Sequence, residues 1–181
     1  MDKKVRIGCA SAFWGDTDTA APQLVNYGEI DYLVFDYLAE VTMSILASAK
    51  QRNENLGYAI DFIKHIGPLL SAIKDKNIKV ISNAGGVNLN ACREALLEEA
   101  KEQDLNFQIA IVEGDNILHK EGDLRSIPVK EIETNDFLPE NVLSVNAYLG
   151  APSIKKALEL GADIIITGRC VDTAVVLGPL M

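Results

Sequence analysis

Lys79-Val80-Ile81-Ser82-Asn83-Ala84-Gly85-Gly86-Val87-Asn88 sets the pattern for the whole chain. Its first half is a β-branched apolar run without polar alternation, the mark of a strand covered on both faces. From Asn88 to Gln103 apolar residues recur three and four apart, as on a helix. Strand, polar turn and helix in that order form the repeating unit of a parallel α/β sheet. Between them, Gly85 and Gly86 permit a left-handed backbone and leave the following amides free, so the turn is expected to cradle a phosphate or carboxylate. It is neither a Walker loop, which needs a Lys-Ser/Thr pair, nor a GxGxxG dinucleotide turn.

The same reading carries outward. Strand-like runs stand at Val5 to Ser11, Tyr32 to Tyr37, Phe107 to Glu113, Val142 to Tyr148 and Asp163 to Thr167, in addition to Lys79 to Asn83. Helical patterns cover Val41 to Arg52, Gly57 to Lys76 and Ser153 to Leu160, and another opens at Asp172. The alternation predicts an α/β fold with an open, mostly parallel, Rossmann-like sheet and helices on both faces. A partial β/α barrel is the alternative. Ile117 to Glu140, with Gly122, Pro128 and Pro139, breaks the rhythm and reads as an irregular excursion or small hairpin, extended around Leu124 to Val129. Residues 1–181 read as a single domain, and the apolar ending Val175 to Met181 as the N-terminal part of a longer protein.

Composition narrows the partners. Lys plus Arg number 17 against 26 Asp plus Glu, a net charge of −9, which argues against nucleic acid or an anionic membrane. The 48% hydrophobic content builds a core without staples. Cys9, Cys92 and Cys170 show no metal or disulfide spacing and read as reduced structural residues. The N-terminus lacks the apolar region of a signal peptide, and a cytoplasmic protein is expected.

In parallel α/β folds ligands bind beyond the carboxyl ends of the strands, so those junctions hold the candidate residues. Ser11 and Asp16 lie in the loop after the first strand. Asp36 and Glu40 are two acids at a strand-to-helix junction, suited to acid–base work or to a divalent cation. Asn83, Gly85 and Gly86 form the glycine turn. Glu113 closes the fourth run, and Asn146 stands near a Pro-initiated helix. Arg169 is the one cation among these junctions and could grip a carboxylate or phosphate, or pair internally with Asp172. Asp36, Glu40 and Asp172 are the expected proton carriers. Ser11, Asp16, Asn83, Gly85, Gly86, Glu113, Asn146 and Arg169 are the expected ligand contacts for a small anionic molecule. Cys170 is a nucleophile by position only, and His65 and His119 read as a helix-face and a loop residue.

Taken in order, Arg6-Ile7-Gly8-Cys9-Ala10-Ser11-Ala12-Phe13-Trp14-Gly15-Asp16-Thr17, Asp31 to Leu46, Asn83-Ala84-Gly85-Gly86 and Thr167-Gly168-Arg169-Cys170-Val171-Asp172-Thr173-Ala174 resemble the N-terminal region of the acyclic terpene utilisation AtuA-like family. The block Asp36 to Leu46 is the most specific part. The resemblance implies a link to breakdown of branched acyclic terpenoids such as citronellol and geraniol through acyl-CoA intermediates. It brings no catalytic residue with it. Two functions follow: an enzyme acting on a branched acyl-CoA or carboxylate as a hydratase or lyase, or a non-catalytic partner domain of a larger acyl-CoA-metabolising complex. A CoA thioester is the expected substrate, a divalent cation stays open, and a homo-oligomer or association with another subunit is expected.

Overall fold

The computed structural model describes residues 4–181. Five strands form one sheet: β1 (Ile7–Ser11), β2 (Tyr32–Phe35), β3 (Lys79–Ser82), β4 (Ile109–Val112) and β5 (Ile164–Thr167). All pairings are parallel and the order is β1-β2-β3-β5-β4, an open sheet that does not close into a barrel. The helices are α1 (Ala20–Tyr27), α2 (Glu40–Arg52), α3 (Ile60–Ile66), α4 (Leu70–Asp75), α5 (Leu89–Glu102), α6 (Glu121–Ser126), α7 (Ala151–Glu159) and α8 (Ala174–Leu180).

Alternation along the strands sends successive side chains to opposite faces. Leu33, Phe35, Val80, Ile164 and Ile166 meet Val25 of α1, Phe62 and Ile66 of α3, Leu70 of α4 and Leu96 of α5 in one core. Val34, Ile81 and Ile165 meet Ala151 and Ile154 of α7 and Ala174 and Val175 of α8 in the other. The strands are therefore apolar at every position because each face has its own helical layer.

Three expectations need correction. Val142 to Tyr148 is not a strand of the sheet: it crosses the strand ends, with isolated bridges from Asn116 to Asn146 and from Leu149 to Cys170. Ser144 and Asn146 interrupt its apolar residues, and the slot between β3 and β4 goes to the uninterrupted, fully buried run Ile164 to Thr167. The pattern from Gly57 to Lys76 is broken into α3 and α4 by a 3₁₀ turn at Gly67–Leu69, where Pro68 lacks an amide hydrogen. Leu124 to Ser126 ends α6 rather than extending, since Arg125 folds back onto Glu121 four residues earlier at 2.6 Å.

The strand order places the site. The chain steps from β1 to β2 to β3, passes over a position to β4, and returns to insert β5. Helix α5, leaving β3, covers one face, while α8, leaving β5, covers the other. The connections diverge between β3 and β5, and the crevice at their carboxyl ends is where such sheets bind ligands.

Candidate functional site

Asn83 follows β3 and Arg169 follows β5, so both stand at that crevice, with Asp36 beside them after β2. Asn83 is fully buried and orients its neighbours: its Oδ1 accepts from the Tyr37 amide at 2.7 Å, and its Nδ2 donates to Asp36 Oδ1 at 2.6 Å. Burial raises the Asp36 carboxyl above the ordinary carboxylate range, against the opposing bond from Asn83, and the charge of Asp172 raises it further.

Arg169 is the hub, only 5% exposed. Its Nη1 donates to the carbonyls of Leu38 at 2.6 Å and Cys170 at 3.3 Å and to Asp172 Oδ1 at 3.1 Å. Its Nη2 donates to the Tyr148 hydroxyl at 2.9 Å and to Glu40 Oε1 at 3.3 Å. The guanidinium lies 4.2 Å from the centroid of the Tyr148 ring, and the Tyr148 hydroxyl donates to the same Glu40 oxygen. The hydroxyl of Tyr148, the helix-terminal backbone of Glu40 itself and Arg169 together lower the Glu40 carboxyl, while Glu40 raises the Tyr148 phenol. The Nε of Arg169 is the one buried side-chain polar atom without a partner among the described residues.

A second carboxylate positions this hub from behind. Asp115, 1% exposed, accepts from the Arg169 amide at 2.8 Å and from Asn146 Nδ2 at 2.9 Å through Oδ2, and its carbonyl accepts from the Ala147 amide at 2.7 Å. One residue thus fixes both the loop that carries Arg169 and the thread that carries Tyr148. Gly168 is required here, because a Cβ would overlap the Asp115 carboxylate. Burial raises the Asp115 carboxyl.

The structure therefore brings Asp36, Glu40, Asn83, Arg169 and Asp172 together, with Asn146 one bond behind them. The remaining candidates stand elsewhere. The Ser11 hydroxyl donates to the carbonyls of Phe13 at 2.7 Å and Asp36 at 3.4 Å, and Asp16 accepts from the Ala12 amide at 2.9 Å, so both shape the first loop. In the glycine turn the amides are engaged within the chain: Gly85 donates to Thr167 O, Gly86 to Asn83 O, Val87 to Gly57 O and Asn88 to Gly85 O. Gly86 takes φ +53°, and a Cβ there would lie 2.6 Å from the Gly57 carbonyl; one on Gly85 would lie 2.8 Å from that of Thr167. These glycines admit neighbouring backbone, and no nest of free amides remains. Glu113 lines a separate cleft of about 730 Å³ with Asn90, Asn116 and His119 at the start of α5.

Asp115 and Tyr148 complete the site: the sequence placed them at the close of the fourth and fifth strand-like runs, but they were not counted among the expected ligand contacts. Their signal was weak: an acid after a glycine, and an aromatic in a run read as a strand. Cys170 is buried and its thiol is pushed up to about 11, which leaves it protonated and poorly nucleophilic at neutral pH. His65 accepts or donates between Tyr37 and Asp18, away from Arg169. Among the described residues, no group of three or more His, Cys, Asp or Glu side chains has an arrangement that could hold a metal ion. No helix among them is long and apolar enough to cross a membrane.

An open, all-parallel α/β sheet with helices on both faces and a charged hub at its topological switch point defines the fold class. The sequence profile of the acyclic terpene utilisation family protein AtuA matches residues 5–181, and the chain belongs to that family. No curated protein and no solved structure matches it.

Proposed function

We propose that this protein is a cytoplasmic hydratase or lyase acting on a branched acyl-CoA thioester or related carboxylate from acyclic terpene breakdown. The observation that carries this reading is a pair of carboxyls in unlike environments beside one buried guanidinium: Asp36, held by Asn83 and raised by burial, and Asp172, exposed and bonded to Arg169. Carboxyls whose environments push them apart divide into acid and base, the requirement for adding or removing water next to a carbonyl. In hydration the oxygen of water bonds to the β-carbon while a base takes one of its protons, and an acid delivers a proton to the α-carbon. Asp36, its carboxyl raised by burial, serves as the acid. Asp172 takes the proton from water, and Arg169 with Tyr148 steadies the oxygen that gains negative charge.

The test is hydration of 3-methylbut-2-enoyl-CoA by the purified chain, followed by loss of enoyl-thioester absorbance. Turnover that falls about a hundredfold or more in Asp36→Asn, as expected for loss of a general acid, supports the reading. No turnover across a panel of branched enoyl-CoA thioesters, or an Asp36→Asn variant as active as the parent, would overturn it.

A second reading, an assembly domain of a larger acyl-CoA-metabolising complex, draws on the exposed Leu177 and Leu180 of α8. Size-exclusion chromatography with light scattering tests it: a monomer that is active alone removes the need for a partner.

A further inference from the structure

The Glu40 carboxylate occupies a position that looks prepared for a ligand. Two donors from different parts of the chain, Arg169 Nη2 and the Tyr148 hydroxyl, converge on a single oxygen of Glu40. The donors and the acceptor are held very differently. Arg169 has a side chain 6% exposed, anchored through Nη1 to two main-chain carbonyls and stacked on Tyr148, whereas the Glu40 side chain is 77% exposed. Rotating Glu40 into solvent would leave the guanidinium and the phenol where they are. Arg169 also retains the unpartnered Nε–H, an uncommon cost in a folded protein and a sign of a site whose acceptors are incomplete. Beside the two charged partners stand exposed apolar residues, Val41 next to Glu40 and Val171 next to the Arg169 loop.

We propose that Glu40 is an internal stand-in for the carboxylate of an aliphatic acid ligand, which displaces it and takes the bonds from Arg169 and Tyr148 while its alkyl part lies against Val41 and Val171. The seat rests on the reading that this edge receives a carboxylate or acyl substrate, and it assigns Glu40 to guarding the seat, leaving proton transfer to Asp36 and Asp172. In the unliganded protein Glu40 satisfies donors that would otherwise face the crevice alone. A ligand must compete with it, and its apparent affinity is reduced by the fraction of time that Glu40 holds the seat.

The consequence is contrary to ordinary expectation for a site residue: removing Glu40 strengthens binding. The experiment titrates 3-methylbutanoate into the parent, Glu40→Ala and the double variant Glu40→Ala with Tyr148→Phe, following the Arg169 Nε–H resonance in ¹⁵N-labelled protein. The expected result is a dissociation constant about tenfold lower or better in Glu40→Ala, most of the gain being lost when the phenol hydroxyl is also removed. Phenylalanine keeps the ring under the guanidinium, so that loss reports the hydroxyl rather than unfolding. Binding that is absent in all three proteins, unchanged or weaker in Glu40→Ala, or indifferent to Tyr148→Phe overturns the proposal. Hydration of the enoyl-CoA thioester is scored separately. A seat unmasked without turnover removes the hydratase reading alone, and turnover without unmasking removes the seat alone.

Discussion

Two turns at the same sheet edge look alike in sequence and differ in kind. Asn83 to Asn88 and Gly168 to Asp172 each follow a buried apolar strand, contain glycine and lead into a helix. In the first, the donors are backbone amides, and neighbouring main chain has taken them; the glycines exist so that the carbonyls of Thr167 and Gly57 can come close. In the second, the donors belong to a side chain, and two of its partners are exposed carboxylates, Glu40 and Asp172. Backbone partners in a packed turn cannot be exchanged without unfolding it. Solvent-facing carboxylates can be exchanged by rotating a side chain. The turn that looked most like an anion cradle is thus the rigid one, and the exchangeable partners lie in the other.

The sharpest way to break this contrast is Gly86→Ala. The left-handed backbone and the approach of a Cβ to the Leu46 side chain and the Gly57 carbonyl together make a loss of about 3 kcal/mol or more. In a chain of this size that is a fall of about 10 °C in melting temperature, read by calorimetry. Were the turn an open nest, only the cost of the left-handed backbone, about 1–2 kcal/mol, would remain. Arg169→Met comes next, at about 2 kcal/mol in urea denaturation, because the Leu38 and Cys170 carbonyls lose their donor while Glu40 and Asp172 simply return to water. A loss well above that would mean that the carboxylates are less free than their exposure indicates.

Asp36→Asn sharpens the contrast through pH. The folded-state value of Asp36 is raised, so the native protein binds its proton more tightly than the unfolded chain does. That contribution is complete at pH below the unfolded value and is lost as pH rises through the folded one. The variant, which keeps an acceptor for Asn83, should gain stability relative to the parent as pH rises from acid to neutral. Parallel melting curves in a pH series check this, and a difference that shrinks with pH would contradict a carboxyl raised by burial. The smallest effect is expected for Tyr148→Phe, under about 1 kcal/mol because its partner Glu40 is exposed. Its signature is instead a rise of the Glu40 titration toward the ordinary carboxylate range, seen by ¹³C NMR.

What the sequence made legible follows from where its residues are buried. Strands covered on both faces read as unbroken apolar runs, and all five were found within a few residues of their observed ends. The junctions after β2, β3 and β5 could be named as candidate positions because the parallel fold itself points to them. Strand order could not be read, since the parallel connections allow β5 to lie beside β3 or outside β4 with the same apolar pattern. The parts that Asp115 and Tyr148 play were hidden for the same reason. Their roles depend on the thread from Asn141 to Leu149 crossing the strand ends, a placement set by the bond from Asn146 to Asp115 and the bridge from Leu149 to Cys170, and these link residues far apart in the chain.

The insertion of β5 between β3 and β4 also has a consequence for how the chain is made. As the polypeptide leaves the ribosome, β3 and β4 are both complete while the strand that joins them, Ile164–Thr167, has yet to be synthesised. At about 5–20 residues per second the interval from Ser82 to Ile164 lasts several seconds, during which Val80 and Ile81 have an unpaired edge. Arg169 emerges only after that strand, so the edge is sealed and the hub assembled in one late event. The nascent chain is therefore most exposed to mispairing, and most in need of a chaperone, in the interval before its final strand arrives.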